Sequence, residues 1–138
     1  MEEAPKTIYI TNRDELDKLN VTVSFDKVEY SPTVRASVAV IKLSLVFPNT
    51  IYTYGGNLRM SGDARSSIEL RCNFKELNAM QRLLDVATLR ANKELSSVKD
   101  EIANILNAGV KRVALDMEDT LQRLLQQVRV ATERVEKG

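Results

Sequence analysis

The chain contains no histidine and only one cysteine, Cys72. Without histidine it lacks both the commonest general base near neutral pH and the commonest transition-metal ligand in proteins. A single cysteine excludes an intrachain disulfide and a zinc site built from several thiolates. The sequence therefore predicts no catalytic residue, no metal site and no bound cofactor, and we expect a non-catalytic protein.

The chain also has no excess of positive or negative charge and no long apolar run. The chain has 20 lysines and arginines against 19 aspartates and glutamates, so bulk charge favours neither nucleic acid nor an anionic membrane. Its longest apolar run, residues 38–47, is interrupted by Lys42 and is too short to cross a bilayer as a helix. The first residues lack the basic and apolar regions of a secretory signal. We expect a cytoplasmic protein with no membrane contact.

Aromatic residues and prolines are absent from the chain after Phe74. Every aromatic residue lies at or before Phe74, and all three prolines lie at or before Pro48. The first half is rich in β-branched and aromatic residues, whereas the second is rich in Leu, Ala, Glu, Arg and Gln. This order predicts an α+β fold, in which an N-terminal antiparallel sheet of four to five strands (residues 1–73) precedes a long C-terminal helical hairpin or helix (residues 74–138) in one integrated domain.

Alternation of apolar and polar residues predicts several strands in the first half. It is clearest in residues 7–11, 21–25 and 67–72, and the last of these segments places Cys72 on the buried face. Within residues 33–47 the apolar positions change phase, which predicts a bulge, a strong bend or a central strand covered on both faces. At Asp26 the chain either turns or continues as the same strand. A short helix is expected after Asn12, because Asn12 and Glu15 have the spacing of a capping box.

The second half carries apolar residues at helical spacing almost without interruption. Residues 74–137 contain no proline and one glycine, Gly109. Residues 107–109 resemble a helix C-cap, so we expect an antiparallel hairpin of two helices, each roughly 45 Å long at about 1.5 Å per residue. One continuous coiled-coil-like helix, or a break at Ser96 and Ser97, are the alternatives.

The apolar stripe of this half is wider than a single helix–helix seam and longer than a small sheet can cover. We therefore expect a homo-oligomer in which aliphatic helices contact other subunits, while the β half offers a surface to a second protein partner. A structural subunit of a larger particle would be such an assembly or adaptor protein. The residues predicted to form the oligomer interface are Leu83, Val86, Leu106, Val113, Met117, Leu121, Leu124, Leu125 and Val128.

A nucleic-acid-binding module is the alternative function. Tyr52 and Tyr54 lie two residues apart on a predicted strand and share a face, and Arg59, Arg65 and Arg71 lie in the same half of the chain. Aromatic rings and cations on a sheet can stack bases and bind phosphates of a single strand. The near-zero net charge makes nucleic acid the less favoured partner.

Overall fold

A computed structural model describes residues 7–33, 35–50, 53–54, 57–58, 62–73 and 77–137. It confirms the α+β fold class, with strands preceding two long C-terminal helices. The elements in chain order are β1 (Thr7–Ile10), α1 (Arg13–Leu16), β2 (Asn20–Ser31), β3 (Ala36–Thr50), β4 (Thr53–Tyr54), β5 (Asn57–Leu58), β6 (Gly62–Asn73), α2 (Leu77–Asn107), β7 (Val113–Asp116) and α3 (Met117–Lys137).

The described strands divide among three antiparallel sheets. The main sheet has the order β2-β3-β6, β1 pairs with β7 in a separate ribbon, and β4 pairs with β5. The strand β7 lies between the two long helices, where the sequence predicted the start of the second helix. Val113, predicted as a helical interface residue, lies instead in this strand, opposite Ile10. The segment was ambiguous because Val113 and Met117 have helical spacing whereas Val113 and Leu115 have strand spacing.

Local signals of helix ends were read correctly where the structure describes them. The Glu15 backbone N–H donates to Asn12 Oδ1 at 3.0 Å, and the Glu15 carboxylate accepts from the Thr11 backbone N–H at 2.9 Å. The sequence predicted this helix over residues 13–19, but it ends at Leu16. A second signature of this kind, from Asn73 to Glu76, falls partly outside the described residues.

The C-terminal half forms the predicted helical hairpin, so the continuous rod is wrong. The helix α2 runs through Ser96 and Ser97 without interruption, so a break there is also wrong. It ends at Asn107, and Gly109 follows with φ of +99°, a left-handed conformation that glycine adopts without strain. Asp116 then caps α3, since its Oδ1 accepts from the Asp119 backbone N–H at 3.0 Å.

The central strand β3 is buried on both faces, as one of the three predicted alternatives required. On the helix side its side chains enter the main core, while Val38 and Val40 point to the outer face and are 6% and 0% exposed. No described helix covers that outer face. Instead, Glu29 of β2 lies opposite Val38, Arg71 of β6 lies opposite Val40, and the two charged side chains meet across β3 at 3.0 Å.

The helices fill the core with the side chains that were predicted to contact other subunits. A stripe of α2 that includes Ala87 and Ala91, both 0% exposed, packs in one cluster with α3 and the sheet. Six predicted interface residues are at most 3% exposed, so they are not available to a second copy. The sheet, α1 and the β1–β7 ribbon together cover more helix surface than a sheet alone would. The six buried residues of the predicted interface are Leu83, Met117, Leu121, Leu124, Leu125 and Val128.

This packing predicts opposite results for two leucine truncations. Leu124→Ala should lower the free energy of unfolding by about 2–5 kcal/mol, because it leaves a cavity in the core. Leu89→Ala, at a position that is 73% exposed, should change it by less than about 0.5 kcal/mol. Urea unfolding followed by circular dichroism measures both. Equal effects would contradict the placement of Leu124 in the chain's own core.

Candidate protein-interaction surfaces

The exposed large apolar side chains of the described residues differ from the interface predicted from the sequence. The remaining predicted residues, Val86, Leu106 and Val113, are half-buried, and the last two pack against the core. The side chains most exposed to solvent concentrate on β2 and on the outer side of the two long helices. The exposed set is Tyr9, Phe25, Val28, Tyr30, Leu89, Ile105, Val110 and Val130.

Three of these side chains form a continuous row on β2, here called the β2 apolar strip: Phe25, Val28 and Tyr30. Their β3 partners in register are residues 41, 39 and 37, which alternate along β3 and therefore share one face. That face is the one that the helices cover elsewhere on the sheet. The three side chains are 40%, 48% and 65% exposed, so the helices do not reach this part of it.

A β-bulge creates the strip. The register of β2 against β3 shifts between Phe25 and Lys27, which leaves Asp26 without a partner residue. In a regular strand, residues three apart point to opposite faces, so Phe25 and Val28 would not lie together. Sequence alternation missed this feature, because a change of phase at Asp26 is equally typical of a turn.

The strand β2 is also an edge of the main sheet. Among the described strands it pairs only with β3, through eleven of its twelve residues. An edge strand presents backbone N–H and C=O groups that can pair with a strand of another chain. The β2 apolar strip and this backbone edge therefore form one surface with both apolar and hydrogen-bonding character.

The outer face of the main sheet carries charges of both signs in pairs. Glu29 accepts from Arg71 at 3.0 Å and lies 3.4 Å from Lys27 Nζ, while Arg65 lies 3.4 Å from Asp63. The hydrogen bond from Arg71, more than the charge of Lys27, holds the pKa of Glu29 below its ordinary value. These pairs leave little net positive charge on this face.

The residues of the nucleic-acid alternative are only partly described. Arg65 and Arg71 lie on this outer face, and both are in ion pairs. Tyr52, Arg59 and the side chain of Tyr54 lie outside the described residues. The geometry therefore brings together two of the five residues, in a setting that neutralises them, and the alternative stays a prediction.

A cluster of charges links α2 to α3. Arg123 Nε donates to Glu94 Oε1 at 2.5 Å, and its Nη1 donates to Glu101 Oε2 at 2.6 Å. The hydrogen bond from Arg123 lowers the pKa of Glu101, and the two carboxylates raise the pKa of Arg123. The arginine thereby joins two successive parts of α2 to one position on α3.

About two turns further along α3, the outer side of the helical pair opens into a cleft of about 360 Å³, here called the basic cleft. Arg90 borders it and donates from Nη2 to Gln127 Oε1 at 3.2 Å. The sequence offered one signal for it, since Leu89 and Val130 belong to the apolar positions outside the main seam. The lining of the basic cleft is Val86, Leu89, Arg90, Lys93, Val130, Ala131 and Arg134.

Comparison of the chain with profiles of protein families, with curated proteins and with solved structures finds no match. In the part of the chain that the structure describes, no group of cysteine and carboxylate side chains is arranged to hold a metal ion. Within that same part, no helix is both long enough and apolar enough to span a membrane.

Acid should remove the contribution of the Arg123 cluster to stability. The pKa of Glu101 in the folded protein is below its ordinary value of 4.5, so the unfolded chain binds more protons as the pH falls through that range. The contribution is present above pH 4.5 and is lost as the pH falls through the lowered pKa of the folded state. Melting temperatures from pH 7 to pH 3, for wild type and Glu101→Gln, should differ at neutral pH and converge in acid. A difference that is independent of pH would show that the charge of Glu101 is not involved.

Proposed function

We propose that this protein is a non-catalytic assembly or adaptor protein that self-associates, and that its copies meet at the β2 apolar strip. The observation that carries this proposal is the row of Phe25, Val28 and Tyr30, three large apolar side chains exposed together on one edge strand. Isolated exposed apolar residues are ordinary on protein surfaces, whereas contiguous patches commonly mark interaction sites.

The size of the strip indicates what else the interface must contain. From the usual areas of such side chains, the strip exposes roughly 300 Å² per chain, which is within the range of functional patches on monomers. A stable interface buries about 800 Å² per partner. The strip alone is too small, so backbone pairing along β2 and contacts of neighbouring side chains must add to it.

Pairing of two β2 strands supplies that addition with a symmetric geometry. Two identical edges placed antiparallel are related by a two-fold axis, and each contributes the same residues. The three-stranded sheet of each copy would become half of a six-stranded sheet, with the two strips adjacent on one face. The bulge at Asp26 and the charge of Lys27 interrupt the edge and so disfavour pairing in other registers.

This proposal keeps the self-association expected from the sequence but moves it to another surface. The helical side chains first considered for it are largely inside the core, so the strip is the better supported site. A chain that assembles through an edge strand leaves the outer side of its helices available to a second protein. That arrangement suits an adaptor or a structural subunit of a larger particle.

Replacing Tyr30 should weaken assembly without unfolding the chain. Tyr30 is 65% exposed, so Tyr30→Asp should leave the melting temperature of the dissociated chain nearly unchanged. We expect sedimentation velocity to show a concentration-dependent dimer or larger species for wild type. The aspartate should raise the dissociation constant at least tenfold, because each copy would carry a charge on the apolar strip that the interface buries.

The matched control is Leu89→Asp, which places the same charge on an exposed position of α2. It should not affect the dissociation constant of self-association. A wild-type protein that remains monomeric at high concentration would contradict the proposal. So would equal weakening by Tyr30→Asp and Leu89→Asp, since the strip would then have no special role.

A further inference from the structure

The basic cleft combines an apolar floor with cations of one sign. Aliphatic side chains of both helices form the floor, and α2 contributes Arg90 and Lys93 whereas α3 contributes Arg134. None of the lining residues carries a negative charge. The cleft lies on the outer side of the helical pair and shares no lining residue with the β2 apolar strip.

The three cations lack the compensation that other cations of the chain have. In the described residues, no ion pair involves Arg90, Lys93 or Arg134, and the side-chain partner of Arg90 is the neutral Gln127. By contrast, Arg123, about two turns before Val130 on α3, pairs with two glutamates. The positive charge of the basic cleft is therefore available to an anionic partner.

The openness of the cleft points to a macromolecular partner rather than a small molecule. Leu89 is 73% exposed and Val130 is 47% exposed, so the apolar side chains of the cleft are accessible to solvent. Small-molecule sites usually enclose about 70–90% of their ligand, which this cleft would not do. A groove between two antiparallel helices can instead accept the side-chain ridge of a third helix.

Charge and composition distinguish among large partners. The lining contains no aromatic side chain on which the bases of a nucleic acid could stack. The apolar side chains of the floor offer no hydrogen bond or charge to a phosphate. A second copy docked on the same cleft by a two-fold axis would bring like cations together. A helix with aliphatic residues on one side can pack on the apolar floor. Carboxylates beside those residues can then pair with the three cations of the cleft.

We infer that the basic cleft between α2 and α3 binds an acidic amphipathic helix of a partner protein. Leucine-like side chains of that helix occupy the floor between Leu89 and Val130, and its carboxylates pair with Arg90, Lys93 and Arg134. This inference names the second component of the proposed adaptor, and it does not require that the chain self-associate through β2.

The test uses a fluorescently labelled synthetic helical peptide. Its leucines are spaced alternately three and four residues apart, so that they share one face, and its glutamates flank that face. Fluorescence anisotropy should show saturable binding to the full chain, and the affinity should fall as salt is raised. A peptide of the same composition with its leucines scattered around the helix should bind at least tenfold more weakly. So should a peptide in which lysines replace the glutamates.

Variants of the protein locate the binding. Charge reversal by Lys93→Glu together with Arg134→Glu should raise the dissociation constant at least tenfold, and Leu89→Ser should weaken binding without changing charge. The control reversal Lys18→Glu, at an exposed position after α1, should leave binding unchanged. Circular dichroism melting curves identify any variant that fails to fold, in which case Leu89→Ser decides.

Several results would overturn the inference. These are no binding of the acidic peptide at millimolar concentration, equal binding of the scattered peptide, and equal weakening by Lys18→Glu. Binding to vesicles containing an anionic phospholipid, with no binding of the peptide, would assign the cleft to a membrane surface instead. Tyr30→Asp, which disrupts only self-association, should leave peptide binding intact, so the two proposals fail separately.

Discussion

Val38 and Val40 are buried on a sheet face that carries no described helix, and the ion pair between Glu29 and Arg71 crosses β3 beside them. The two charged side chains belong to the strands on either side of β3, so the pair forms only if the register is correct on both. An exposed ion pair contributes little energy by itself. The aliphatic stems of long charged side chains can also cover apolar surface, and the register places Glu29 and Arg71 next to these valines.

The register that this ion pair needs also determines which side chains of β2 point to each face of the sheet. Glu29 must point to the outer face, and the bulge at Asp26 is what places it there. The same bulge turns Val28 and Tyr30 to the opposite face, beyond the helices. The bulge thus has two effects. It places Glu29 on the outer face of the sheet, and it places the β2 apolar strip on the opposite face. The register of a single strand connects the stability of the sheet with the candidate interface.

Patterns of neighbouring residues predicted much of this fold. Alternation located the main strands, the asparagine–glutamate spacing located α1, and the glycine at position 109 located the end of α2. These signals depend on local geometry, which sequence spacing reports directly. The strand β7 was missed because four residues are too few to separate the two spacings, and the bulge was missed because a turn gives the same pattern.

Six of the nine residues predicted for the oligomer interface lie in the core for a different reason. The width of an apolar stripe states how much helix surface must be covered, but not which part of the fold covers it. For Leu121 and Leu124 the cover comes from the chain itself, including elements far away in sequence. The candidate surfaces depend instead on side chains left over by packing, such as Tyr30 and Leu89, and only the three-dimensional arrangement identifies these.

The pairing of β1 with β7 has a consequence for how the chain is made. Ile10 lies opposite Val113, so the first strand meets its partner only after α2 and the loop that follows have been synthesised. Until then Ile8 and Ile10, both nearly fully buried in the finished fold, lack the strand beside which they pack. Contacts between such distant segments form late and slowly. On the ribosome, β1 must remain without its partner strand until β7 has been synthesised.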